Sequence, residues 1–537
     1  MKHSQRRTRR DFLKKLAVGC AAGSAASTIP QLKILNQALA AERGQFGDYK
    51  AIVCLELNGG CDSFSMLAPR DSVSPGSHYD TYLNSRGGLY SSGPGVAYDF
   101  NELLPITSVA GGPSGPVQTG GDYGLNPEFV DRPHNNGPIP TPGLQSLYNQ
   151  GDLAFLANVG SLVEPITKNE FINKLKQIPG GIGSHSDQRK IWDTAGPIDS
   201  SFGWGGNLIG QILDGGSDNA IFPPCISTSG NTLFQIGEVP GSTIPIIPYR
   251  INSGGATPLQ FFGGNNPKTL ALNDLFAEEY FSLFSEEYKS TFNRARGFAD
   301  VFNSLLNQGA GSTSPGDGWG RINTPYQTNG LLDPVNNRYP AAQVTVDGVN
   351  YDNRVFNQLQ MAARLIKISR NPDAGVNASR QVYFVRLPDF DTHSNQMQRD
   401  RFFRLMASVS QAVGYFSQAM QEIGAQDEVT LFTSSEFGRT LSPNGTGTDH
   451  GWGGVHFAMG GAVNGGRIYG RYPRLEINAD DDINMDWSFD RGRYIPTTSV
   501  DQMMATLANW MGASNAQQQI IFPNLSNFND SNLGFLA

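Results

Sequence analysis

Cysteine is scarce in this chain. Four occur in 537 residues: Cys20, Cys54, Cys61 and Cys225. Cys20 lies in an N-terminal segment expected to be removed, which leaves an odd number and excludes a disulfide scaffold. Cys54 and Cys61 flank one strand end and read as packing residues. Charge is sparse too, at 16% Asp, Glu, Lys and Arg. There is no basic surplus. Removing the eight Lys/Arg and one Asp of the first forty residues from the chain's 40 and 48 leaves a formal charge of −15. Nucleic acid is therefore excluded as a partner. No apolar run is long enough for a permanent membrane span, because glycine, proline or charge breaks each one. Internal repeats and low-complexity tracts are missing. Disorder is not expected either, since aromatic residues make up 10% of the chain.

What is present begins with an address. Thr8-Arg9-Arg10-Asp11-Phe12-Leu13-Lys14 reads as a twin-arginine signal. A short apolar segment, Leu16–Ala26, follows, and Ala38-Leu39-Ala40 offers a small-x-small cleavage site. The twin-arginine translocase is the expected partner during export, and the periplasm or the medium the expected location. That route carries folded proteins, often with a cofactor inserted.

Buried strands are expected at Tyr49–Leu57, Leu153–Val159, Gln381–Leu387, Val429–Ser434 and Val455–Gly460. Helices are expected at Gly143–Asn149, Ser184–Ala195, Val355–Ser369, Asn395–Gly424 and Met503–Met511. Asn266-Pro267 opens a further amphipathic stretch, with an aromatic stripe from Phe276 to Phe302 that reads as packing. Alternating strands and helices imply an α/β fold, a mainly parallel sheet with helices on both faces. Residues 47–537 form one such domain, with a loop-rich insertion near 70–142 and a second insertion near 202–350. Phe202–Gly264 reads as β structure or a cap.

In such folds ligands sit beyond the carboxyl ends of the strands. Acids and imidazoles concentrate there. Asp62 follows the first strand; Asp391 and His393 follow Gln381–Leu387; Glu436 follows Val429–Ser434; Asp449 and His450 precede Val455–Gly460. The chain has only 7 His; His393 and His450 fall in these loops, and a third, His456, lies at the start of the strand Val455–Gly460. A lone Asp after a strand is usually a turn former. Together the six suit a divalent cation, which needs several carboxylate and imidazole ligands converging from separate strands.

Leu57-Asn58-Gly59-Gly60-x-Asp62, Ser184-His185, Asp391-Thr392-His393-Ser394, Ser435-Glu436-Phe437-Gly438-Arg439-Thr440 and Thr448-Asp449-His450-Gly451-Trp452-Gly453 resemble the signature of a bacterial exported family of unknown function. That family is assigned to the alkaline-phosphatase-like superfamily of phosphatases, sulfatases and cofactor-independent phosphoglycerate mutases. The resemblance covers Tyr49–Asp71, the Leu153–Ala195 region and most of Asp352–Gly512. It implies an alkaline-phosphatase-like fold. It implies Asp62, Asp391, His393, Glu436, Asp449 and His450 as metal ligands, for Zn, Mg, Mn or Ca. Ser184 becomes the nucleophile, with Ser186 as second choice. Arg439 becomes a partner for a substrate oxyanion, and His185 and His456 become proton donors or ligands. Two departures stand out. Glu436-Phe437 replaces the Asp-His pair of many relatives, and no Cys/Ser-x-Pro-x-Arg motif exists for formylglycine.

The expected function is an exported metal-dependent hydrolase acting on a small or polymer-borne anionic ester, phosphate or sulfate. The alternative is a non-catalytic binding or surface protein on the same fold with a structural metal.

Overall fold

A computed structural model describes residues 46–107, 122–133, 140–213, 222–242, 245–252, 267–277, 289, 342–370, 378–483 and 491–537. The segment expected to be a twin-arginine signal, the aromatic stripe beyond Phe276 and residues 307–341 lie outside these residues.

Nine strands make the central sheet: β1 (Lys50–Leu57), β2 (Leu153–Gly160), β3 (Cys225–Ser227), β4 (Tyr249–Arg250), β5 (Arg380–Leu387), β6 (Val429–Ser434), β7 (Gly454–Met459), β8 (Ile468–Tyr469) and β9 (Thr498–Ser499). Their order is β8-β2-β7-β6-β1-β5-β3-β4, with β9 also against β2. β7 runs antiparallel to both of its neighbours, β6 and β2. Every other pairing in this sheet is parallel. The expected α/β class with a mainly parallel sheet is what the chain adopts.

Five helices matter for the layers: α1 (His185–Thr194), α2 (Trp204–Ile212), α3 (Arg354–Ser369), α4 (Arg404–Glu422) and α5 (Val500–Trp510). Successive side chains of a strand point to opposite faces, and β1 shows the consequence. Ala51, Val53, Leu55 and Leu57 join one core with Phe356 and Leu359 of α3 and Val409 and Phe416 of α4. Ile52 and Cys54 join the other with Leu208 and Ile209 of α2 and Met503 and Leu507 of α5. Each fully buried aliphatic chain contributes about 1.5–3 kcal/mol, which fixes the strand register and with it the loops at the strand ends.

Two elements differ from the sequence reading. Trp204–Ile212 is a helix, not β structure or a cap. Its glycines look like turn signals, but a Cβ at Gly210 would overlap the carbonyl of Glu238, so close packing explains that residue. Helix α4 begins at Arg404, after a π-type turn over Arg399–Phe403, rather than at Asn395.

Leu67–Pro69, just before the first expected insertion, forms a small antiparallel sheet with Asp122–Leu125 and Leu104–Thr107 inside it. A short helix, His78–Ser85, precedes Arg86, whose side chain is fully buried.

Candidate metal centre

The loops after β1, β5 and β6 leave the same edge of the sheet. Because β7 is antiparallel, the loop before it opens at that edge too. Asp391 and His393 come from the loop after β5, His450 from the loop before β7, and His185 from the first position of α1. Nε2 of His393 lies 2.9 Å from Nε2 of His450. Oδ1 of Asp391 lies 3.1 Å from the first of these nitrogens and 3.4 Å from the second. Nε2 of His185 lies 3.6 Å from Oδ2 of Asp391. The ligand atoms of His185, Asp391 and His450 all fall within 4.8 Å of one another.

Outer partners fix the ring tautomers. The Nδ1–H of His450 donates to the Gly183 carbonyl at 2.7 Å. The Nδ1–H of His393 donates to Oδ1 of Asp449 at 3.1 Å. Both acceptors lack a proton to give, so each Nδ1 carries one, and in the neutral ring each Nε2 presents a lone pair. Two lone pairs face each other at hydrogen-bond distance. A cation between them turns that repulsion into coordination, and imidazoles held by carboxylate or carbonyl acceptors are the usual second layer of a metal site. The donor set fits a divalent ion.

Glu436 and Asp449 therefore act as supports for the histidines, not as converging ligands. Oε1 of Glu436 stands 3.6 Å from Nδ1 of His185. Glu436 also accepts from Asn58 Nδ2 at 2.8 Å, from the Gly59 and Gly60 amides at 2.9 Å, and from Arg189 Nη2 at 2.8 Å. Burial pushes its carboxyl pKa up; hydrogen bonds from His185, its own backbone, Gly59 and Arg189 outweigh this and hold it at about 2. Asp391 and Asp449 are likewise held below the usual carboxylate range. Burial opposes this in both, but Arg439 prevails at Asp391, and Asn444 and His393 at Asp449. Burial lowers the pKa of His450, against its bond to Gly183.

Arg439 takes a different role from the oxyanion partner expected. It is buried, and its guanidinium donates to the carbonyls of Gly60 (2.8 Å), Thr448 (2.9 Å), Gly59 (2.8 Å) and Phe390 (3.1 Å), and to Oδ1 of Asp391. It ties three loops together and aims Asp391. Gly59 has φ +122°, and a Cβ there would overlap the Asp391 amide. Only glycine lets the two loops approach this closely.

Asp62 does not join the cluster. Its carboxylate is fully buried in an ion pair with Arg86 and also accepts from Ser65 at 2.9 Å and from Gln396. His456 stands apart as well. It is buried on β7 with its ring 4.7 Å from that of Trp192, and burial lowers its pKa to about 3. That is a packed neutral histidine, not a proton donor to a leaving group. Ser184 is the N-cap of α1, directly before His185, and its hydroxyl makes no cap hydrogen bond. It lies 3.3 Å from the Ser186 hydroxyl.

Sequence reading did not single out Arg189, Arg86 or Gln396, and it quoted Asn58 only within the Leu57–Asp62 motif, without a role. Arg189 was the most accessible of these, being four residues after His185 and so on the same helical face.

A family model described as Protein of unknown function (DUF1501) matches residues 374–521, which include Asp391, His393, Glu436, Asp449 and His450. No curated protein matches the chain. Among solved structures, the chain is similar to the PsFucS1 sulfatase from Pseudoalteromonas sp., with 10% identity over 82% of this chain and 68% of that one and a TM-score of 0.28. It is also similar to Ps i-CgsB, solved in complex with k-i-k-neocarrahexaose, with 12% identity over 74% of this chain and 75% of that one and a TM-score of 0.29.

Proposed function

We propose that this chain is an exported hydrolase of phosphate or sulfate esters, working with a divalent ion held by Asp391, His393 and His450. The observation that carries the reading is the 2.9 Å approach of two imidazole lone pairs beside Asp391. An ion bound there would act as a Lewis acid toward an ester oxygen.

The remaining chemistry belongs to this chain's own groups. Ser184 is placed at the start of a ten-residue helix with its hydroxyl uncommitted to capping. Free N–H groups in the first turn of α1 favour an anionic ester at that position. Attack by Ser184 Oγ forms an Oγ–P or Oγ–S bond as the ester bond to the alcohol breaks; the alcohol leaves with a proton, and water then releases the acid from Ser184. Arg439 and Glu436 hold the loops so that Asp391 and His185 keep their aim. The Arg9-Arg10 pattern supports export, with the protein working in the periplasm or outside the cell.

The test is a panel of chromogenic phosphate and sulfate monoesters, with wild-type protein and Ser184→Ala supplied with Zn or Mn. Turnover that falls by roughly a hundredfold or more in the variant is expected if Ser184 is the nucleophile. Equal turnover in both would move that role, with Ser186 next in line. Two inert proteins would favour the non-catalytic binding reading.

A further inference from the structure

The acids and imidazoles around the cluster can be divided by what each already holds. Asp62 is taken by Arg86, Ser65 and Gln396. Glu436 is taken by Asn58, two backbone amides and Arg189. Glu56 is taken by Arg189 and Arg386. Asp449 is taken by His393, Asn444 and Arg491. What remains turned inward is a small set: His393, His450, His185 and Asp391, whose Oδ1 also accepts from Arg439.

His185 is the member whose role stays open. Its ring centroid lies 4.4 Å from that of His450 in an edge-on arrangement, and 4.9 Å from that of Phe437. Glu436 lies on its Nδ1 side at 3.6 Å, so Nε2 is the atom turned toward Asp391. Ligands at about 2.0–2.1 Å from a tetrahedral ion stand roughly 3.3–3.4 Å apart. The separations of 2.9 Å between His393 and His450, 3.1 and 3.4 Å from these to Asp391 Oδ1, and 3.6 Å from His185 to Asp391 Oδ2 bracket that spacing.

We infer that His185 is the fourth ligand of a single-ion centre, and that its three-imidazole, one-carboxylate donor set takes borderline transition ions such as Zn or Mn in preference to Mg or Ca. This rests on the metal reading above and deepens it. Imidazole suits transition ions, whereas Mg and Ca prefer all-oxygen shells. The carboxylates of Asp62, Glu56, Glu436 and Asp449 are each engaged by the donors named above, which leaves none of these four for a second ion. The fourth ligand also comes from the residue after Ser184, so binding of the ion fixes the helix start that carries the serine.

The test is a titration of metal-free full-length protein with Co(II), followed by visible absorption. Wild type should saturate at one equivalent with intense bands of four-coordinate geometry, and millimolar Mg or Ca should not displace the ion. His185→Ala should weaken Co(II) binding by roughly tenfold or more and change the spectrum, while the metal-free melting temperature stays at the wild-type value. His185→Gln serves as a second variant if the alanine protein is unstable. Saturation at two equivalents, displacement by Ca, or a spectrum and affinity unchanged in His185→Ala would overturn the inference. Absence of ester turnover with a one-equivalent titration removes the hydrolase reading and leaves this one. Turnover with a two-equivalent titration does the reverse.

Discussion

Nε2 of His393 and Nε2 of His450 lie 2.9 Å apart, while the Nδ1 of each ring is engaged by Asp449 and Gly183 respectively. Two unprotonated nitrogens at that distance repel unless a proton or a cation lies between them. Oδ1 of Asp391, at 3.1 and 3.4 Å from the pair, supplies negative charge to the same point. A proton shared between the two nitrogens would leave the Asp391 carboxylate outside the bond. A divalent ion satisfies all three atoms.

Metal content should follow this geometry and not the wider set of acids. His393→Ala and His450→Ala should lose bound ion by elemental analysis, whereas Asp62→Asn should retain it at the wild-type level. Loss of metal in Asp62→Asn with a native melt would return Asp62 to the ligand set.

Arg86 and Asp62 form a fully buried ion pair. Removing one partner leaves the other charge unpaired away from water, at a cost of about 3–5 kcal/mol. Arg86→Met should lower stability by that amount in denaturant titrations. The double variant Arg86→Met/Asp62→Asn should recover part of the loss, because it removes the stranded carboxylate.

Gly59 touches no ion, yet it sets how closely the β1 loop meets Asp391. Gly59→Ala should weaken metal binding at least several-fold by displacing the Asp391 backbone. It should also destabilise the metal-free protein by about 1–3 kcal/mol of backbone strain. Isothermal titration and thermal melts check the two effects separately.

Two buried groups away from the centre give stability a pH dependence of opposite sign. His456 has its folded pKa lowered to about 3 by burial. Its unfolded form takes up a proton near pH 6.5, so its contribution is intact above that pH and falls between 6.5 and about 3. Asp501 has its folded pKa raised to about 7 by burial, against hydrogen bonds from Ser499 and Asn524. Its contribution is intact below about pH 4 and is lost as pH rises to about 7. Each window carries roughly 1.4 kcal/mol per pH unit. His456→Gln should flatten the acid limb of the stability profile, and Asp501→Asn should flatten the rise side between pH 4 and 7. Urea titrations at pH 4, 5.5 and 7.5 read both.

Strand periodicity and the acids at strand ends made the sheet, its two-faced covering and the neighbourhood of the site legible from sequence. Residue type could not separate ligand from support. Glu436 and Asp391 both follow parallel strands, and only the folded contacts show that amides and Arg189 claim the first. Asp62 looked equally free, because Arg86 sits in a loop-rich region whose weak periodicity hides its burial. Helix α2 was missed because its glycines serve close packing while resembling turn signals.

The most direct test of the central claim is an anomalous difference map from crystals grown with Zn or Mn, collected at the absorption edge. One strong peak is expected between His393 Nε2, His450 Nε2 and Asp391. No peak there, with the two imidazoles joined by a direct hydrogen bond, would contradict the account.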